Sequence, residues 1–442
     1  MILTRQSLGP RRLDETRRSL ALRHSIQAGN DRTLVLDLQF ARDAAFVSRR
    51  GPLPTFTRAS QAWCVNSAGL IVPAAINTPR LDYDPTTLIC RGLLLEEQRT
   101  NLCPRSEEFN DASWSKFNAT VSANAGVAPD GNTTADLVYP SSTGAITGQC
   151  YRAISSGISS GNSVTVSCFV KASGKTFAYV AQIQNSFSPA AYFNLSTGAV
   201  TNVAGGVTAS MQQYTGGWWR IIATSTAGAG LYYAVVGSTD AAGAQLNTAS
   251  GTNGILVWGM DVEVGASATS YIPTTSAAVV RSADVCSITG GSFTSFFNPL
   301  EGTLVIKAAR LTGVNFAGVS GFPRYLSFDD GTAANRMHAW WFGGPNQFSV
   351  AVGGVDSAAL VLATVTGGTS FGIAARYKAN DFAASQGGGA VGTDVSGSLP
   401  TVTALGIGQT SSGVGVINGH IREVQYYNRI KTNAQLQTLS TP

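Results

Sequence analysis

Apolar and polar residues alternate along this chain in short runs, and clusters of Gly, Ser, Asn and Pro divide the runs. The first is LVLDLQF, Leu34 to Phe40, which alternates after its opening pair as a half-buried strand does. TFTRAS (Thr55 to Ser60), AWCVN (Ala62 to Asn66) and GLIV (Gly69 to Val72) follow in shorter pieces, interrupted by Pro52, Pro54, Pro73, Pro79 and Pro85. Longer runs come next: SVTVSCFVKA from Ser163, FAYVAQIQ from Phe177, WWRIIATSTA from Trp218, LYYAVVG from Leu231 and ILVWGMDVEVG from Ile255. A second set begins at GTLVIKAARL (Gly302 to Leu311) and closes at HIREVQYYN (His420 to Asn428). Strands at this spacing, with no helical patterns between them, predict sandwiches or jelly rolls. Two segments differ. TNAQLQTL (Thr432 to Leu439) predicts about two helical turns, and RRLDETRRSLALRH (Arg11 to His24) predicts a helix opened by Pro10 and ended by Gly29–Asn30.

The expected fold is therefore all-β: a short helical or extended N-terminal arm (residues 1–32), a strand-rich collar (33–100), a jelly roll (101–285) and a second sandwich (286–442). Composition supports it. Charged residues make up only 12% of the 442, and Gly numbers 49. Long helices usually carry Glu and Lys on their wet faces, so this balance favours strands and tight turns.

Charge is unevenly placed. Residues 1–58 hold 11 Arg against five acids, Asp14, Glu15, Asp31, Asp37 and Asp43. The net +5 of the chain thus sits wholly in that leader, and the remainder is at −1. A folded body without a basic face argues against a nucleic-acid partner. The leader has two readings: a solvated, frayed end, or an arm that orders against a partner through Arg5, Arg11, Arg12, Leu13, Arg17, Arg18, Leu20 and Arg23.

The candidate chemistry is sparse. Cys64, Cys90, Cys103, Cys150, Cys168 and Cys286 form no CxxC pair, and His24, His338 and His420 are far apart, so neither a metal nor a cofactor is expected. A glycosidase needs two carboxylates flanking a sugar. Asp329–Asp330 is the obvious cluster, but neighbours on a strand end point to opposite faces, which suits a turn or a calcium ligand better. No phosphate-binding loop and no GxSxG elbow between a strand and a helix is read. No apolar stretch is long enough to span a bilayer and no signal peptide is read, so no membrane partner is expected. Sugar binding needs flat rings, and three doublets offer them: Trp218 and Trp219, Tyr232 and Tyr233, Trp340 and Trp341. Within each doublet one ring should face the core and the other outward, to a ligand or a neighbouring subunit.

Three groups of residues carry a resemblance. FTRAS (Phe56 to Ser60), NSAGLI (Asn66 to Ile71), NTPRLDYDP (Asn77 to Pro85) and GLLLEEQRTNL (Gly92 to Leu102) form the first; WGMDVEVG (Trp258 to Gly265) with ATSYIPTT (Ala268 to Thr275) the second; GHIREVQYYNR (Gly419 to Arg429) the third. In this order they resemble phage and prophage virion structural proteins of the head-fibre or tail-fibre type. The resemblance implies a carbohydrate-binding-module-like jelly roll followed by a laminin-G/concanavalin A-like domain, over residues 34–285 and 290–442. It implies a non-enzymatic fibre or decoration subunit, made in the host cytoplasm and carried on the virion. The arm would attach to capsid, neck or tail, and lectin-like domains would meet host-surface polysaccharide. A homotrimer is the expected oligomer. Two alternatives stay open: a polysaccharide-degrading enzyme, secreted or virion-borne, and a cementing capsid protein with no ligand. Arg80, Asp82, Tyr83, Glu96, Glu97 and Arg99, close together in sequence and of opposite sign, are expected to form a structural clasp between collar and jelly roll or between subunits.

Overall fold

The alternating runs form strands, and the strands pair antiparallel throughout. A computed structural model describes residues 31–145, 148–184, 191–311 and 322–442. The eight arm residues proposed for anchoring, Arg5 to Arg23, lie outside the described residues.

Two six-stranded sheets make the jelly roll. One runs Thr208–Gln213, Trp219–Thr226, Ser163–Ser173, Gly254–Val264, Ala135–Pro140, Ala119–Gly126. The other runs Ala199–Val203, Ala191–Asn194, Phe177–Gln184, Tyr232–Thr239, Gln149–Ile154, Ser115–Phe117. Val164, Val166, Cys168 and Val170, alternate residues of one central strand, enter the core between them, with Ala178, Val180, Ala234 and Val236 from the facing sheet. Each such side chain contributes on the order of 1.5–3 kcal/mol when fully buried. Cys103, Cys150 and Cys168 sit in this core as small apolar residues, and all six cysteines are unpaired.

The second sandwich has an eight-stranded and a seven-stranded sheet. The eight-stranded one is built around Gly419–Tyr427 and Glu301–Arg310, and the seven-stranded one runs from Thr55–Thr57 through Val285–Thr289 to Val355–Thr364. The expected short helix is present at Asn433–Leu439, capped by Thr432 with Gln435 in a reciprocal capping box.

The collar expected over residues 33–100 is not a separate unit. Leu34–Leu38 and Cys90–Leu95 both pair with Gly419–Tyr427, Arg80–Tyr83 pairs with Cys90–Leu95, and Thr55–Thr57 pairs with Val285–Thr289. Leu36, Leu38, Phe40, Phe56, Leu93 and Leu95 belong to the same core as Leu304, Ile306 and Val424. Short strands separated by prolines cannot enclose a core of their own, so these complete a sheet elsewhere, while Ala62–Val65 and Ile71–Ala74 pair only with each other. The jelly roll is consequently an insertion in the second sandwich. Its leading and trailing segments, Arg99–Asn101 and Val279–Arg281, pair with each other and close the insertion at its root.

Candidate functional site

Two features join the sandwiches. One is an apolar cluster in which Val65 and Ile71, from a separate two-stranded sheet of Ala62–Val65 and Ile71–Ala74, pack with Phe169, Tyr214, Trp218, Trp258 and Tyr271 of the jelly roll, and Tyr83 of the second sandwich packs against its edge. The other is the expected clasp, in altered form. Arg80 Nη1 stands 2.7 Å from Glu96 Oε2, and its Nη2 meets Asp284. Arg58 reaches the other oxygen of Asp284 at 3.1 Å, and Arg281 lies 3.2 Å from Glu96. All five side chains are 0% exposed. Ser270, in the motif that ends the jelly roll, gives Glu96 both its backbone N–H and its hydroxyl. Burial alone would raise the Glu96 carboxyl; Arg281, Arg80 and the Ser270 hydrogen bonds hold it well below the usual range.

The other expected clasp members turn elsewhere. Asp82 accepts from Val65 N–H and lies 2.8 Å from His420 Nε2. Glu97 pairs with Arg99 at 2.6 Å and exchanges hydrogen bonds with Asn418. Arg58, Arg281 and Asp284 were missed because each lies in another segment. Their signal was the Arg of FTRAS and the RSAD stretch, neither of which is charged enough locally to stand out.

The aromatic doublets obey the alternation, but the inward ring is the first of each. Trp218 and Tyr232 are only 2% and 3% exposed and belong to cores, so as a sugar platform both are corrected. Trp340 is 7% exposed and donates to Ser349 Oγ. The second rings are half-buried, not free: Trp219 donates to the Leu195 carbonyl, Tyr233 meets Tyr151 edge-on, and Arg310 lies over Trp341. A different aromatic face does reach the surface. Phe342, two residues past Trp340 and hence on its side of the strand, is 47% exposed; Phe322 is 43% exposed. Their rings meet at 5.5 Å, each lies within 5.4 Å of Trp340, and the Arg324 guanidinium covers Trp340 at 5.6 Å. WWF followed by GG was the available sequence signal, a third ring beyond the doublet.

Between the sandwiches lies a cavity of about 410 Å³. Met211, Gln212 and Tyr214 of the jelly roll wall it on one side, and Arg91, His420 and Arg422 of the eight-stranded sheet on the other. Cys64, Asp82 and His420 all line it, a set that invites comparison with a nucleophile, an orienting acid and a base. Burial, with Asp82 next, pushes the Cys64 thiol up to about 12, which leaves it protonated and unreactive at neutral pH.

Asp329 and Asp330 serve turns. Asp329 accepts from Ser327, Gly331 and Ser411, and Asp330 from Thr332 and Asn335. The G-x-S-x-G spacing occurs at Gly157–Gly161 and Gly368–Gly372, but the first is a loop between strands and the second opens a strand. Neither has the strand-to-helix turn that exposes a nucleophile. Among the described residues, no three His, Cys, Asp or Glu are grouped to hold a metal ion.

No family model and no curated protein matches the chain. Among solved structures it is similar to a leech intramolecular trans-sialidase complexed with 2,7-anhydro-Neu5Ac, at 10% identity over 35% of this chain and TM-score 0.27. It spans 26% of that enzyme. Sheep galectin-11 in complex with glycerol (14% identity, 32% of this chain, 95% of that one, TM-score 0.22) is a second. Mouse laminin α1 domains LG4-5 (10%, 64% and 85%, TM-score 0.21) are a third. The sandwich architecture rests on the strand pairing itself.

Proposed function

We propose that this chain is a non-catalytic surface subunit of a bacteriophage particle, attached by its N-terminal arm and adhering to host glycans through the end of its second sandwich. The observation that carries the adhesive reading is the exposed aromatic face of Phe322 and Phe342, backed by Trp340 and flanked by Arg324. Flat rings cover the apolar face of a sugar, and a guanidinium beside them supplies hydrogen-bond donors to its hydroxyls. The virion assignment draws on the ordered sequence motifs and on the cationic leader. Weak single contacts become useful adhesion when copies are arrayed on a particle, which is why a homotrimer fits this reading. A non-catalytic role is supported by the hydrogen-bond commitments of Asp329 and Asp330 and by the protonated state of Cys64.

A glycan array probed with the whole chain, and with a Phe322→Ala/Phe342→Ala variant, tests the proposal. The wild type should bind a defined set of glycans and the variant should lose at least about fivefold, since each stacked ring is worth roughly 0.5–1.5 kcal/mol. Equal binding by both would refute the aromatic face, and release of oligosaccharides would refute the non-catalytic reading.

A further inference from the structure

The cavity between the sandwiches carries two arginines whose placement is unusual. In the pairing of Gly419–Tyr427 with Glu301–Arg310, Lys307 faces Glu423 and Ala308 faces Ile421, so Arg422 is an extra residue with no partner in the ladder. In the neighbouring pair, Asp82 faces Gly92 and Tyr83 faces Cys90, which leaves Arg91 as the extra residue in the same way. Both are β-bulges, the local device by which a strand re-aims one side chain. Both line the cavity. The bulges touch: Gly92, at φ +112°, lets the backbone of Ile421 and Arg422 pass so close that any Cβ would collide with it.

The two guanidiniums differ in commitment. Arg91 spends Nη2 on Asp84 at 2.8 Å. The Arg422 guanidinium makes no hydrogen bond or ion pair with any described residue, though the residue is half-buried in the wall. Other cations of the wall bond within the protein: Arg220 to Ser167 and the Thr269 carbonyl, and Arg310 to the Val365 carbonyl. The wall's carboxylates are likewise taken, Asp82 by His420, Asp84 by Arg91, and Glu96 by Arg80 and Arg281. In the buried cluster that Glu96 shares with Asp284, three guanidiniums, Arg58, Arg80 and Arg281, face those two carboxylates, so the cluster adds an uncompensated positive charge beside the cavity.

We propose that this cavity binds a saccharide bearing a carboxylate, with the carboxylate on Arg422 and the sugar ring toward Gln212. A volume of about 410 Å³ falls in the range of small-molecule sites and far exceeds an inorganic anion. A planar guanidinium in the wall of such a space matches a carboxylate in a two-pronged bond. Gln212, on the opposite wall, offers an amide to ring hydroxyls. The site is separate from the aromatic face and does not depend on it.

Titration calorimetry of the full chain tests this with glucuronate and N-acetylneuraminate as probes, and glucose and sulfate as controls. At least one acidic sugar should bind saturably at 1:1, glucose at least tenfold more weakly, and Arg422→Gln should abolish most of the affinity while the melting temperature stays unchanged. The Phe322→Ala/Phe342→Ala variant should bind the acidic sugar as the wild type does; undiminished glycan-array binding by that variant would sink the aromatic face and leave this site standing. Absence of binding by both acidic sugars, binding undiminished by Arg422→Gln, or equal binding of sulfate would each overturn the assignment.

Discussion

Arg80 and Glu96 meet at 2.7 Å with both side chains wholly removed from water, and they tie the first strands of the second sandwich to the root of the inserted one. Removing one partner of such a pair costs more than the pair contributes, because the other charge stays buried. Glu96→Gln leaves Arg58, Arg80 and Arg281 facing Asp284 alone, and should lower stability by about 3–5 kcal/mol in chemical denaturation. The pH dependence has a definite sign. With its folded pKa depressed, Glu96 contributes fully above the ordinary carboxylate range and loses that contribution progressively as pH falls below that range and through the depressed folded value. The gap between wild type and variant should therefore narrow on acidification; a gap that widens would contradict the ion network.

Asp261 presents the opposite case. It is buried in the jelly roll, its nearest cation is Arg220 at 3.9 Å, and one carboxylate oxygen has no partner among the described residues. Burial, reinforced by Glu263, pushes its carboxyl well above the usual range. Stability is therefore lost as pH rises above the ordinary Asp value, because the unfolded chain ionises there and the folded one does not. Asp261→Asn removes that loss, by about 1.4 kcal/mol for each pKa unit of the shift. Denaturant midpoints should be higher for the variant at pH 7 and equal near pH 3. A less stable variant at pH 7 would mean that the ionised carboxylate is needed.

The sequence shows strands wherever period-two alternation is decided locally, and the long runs from Ser163 and Gly302 illustrate this. It does not show which strands pair. Leu34 finds Tyr427 almost a full chain length away, so residues 33–100 look like a free collar until the closing strand is in place. The clasp was half legible for the same reason: Glu96 and Arg80 are neighbours in sequence, whereas Arg58 and Asp284 are 226 residues apart. Alternation also predicts that one ring of each aromatic doublet turns inward without saying which. The two bulges were invisible, since an extra residue exists only relative to a partner strand, and with them the cavity that holds Arg91 and Arg422.

Gly92 and Gly161 together separate two costs of a side chain at positive φ. Gly161 has φ +88° and nothing within 4 Å of where a Cβ would stand, so Gly161→Ala should cost only the conformational penalty, roughly 1–2 kcal/mol. Gly92 has φ +112° and sits against the Ile421 carbonyl, so Gly92→Ala must pay that penalty and also push the Gly419–Tyr427 strand away. Its destabilisation should exceed that of Gly161→Ala by at least about 1 kcal/mol, in the range seen for overpacked sites. Amide exchange should locate the difference: faster exchange at Ile421 and Val424 in Gly92→Ala only, because the closing strand is the element displaced. If both variants lose the same stability and exchange alike, the two strands can slide apart at no cost, and the adjoining bulges are not held in register by Gly92.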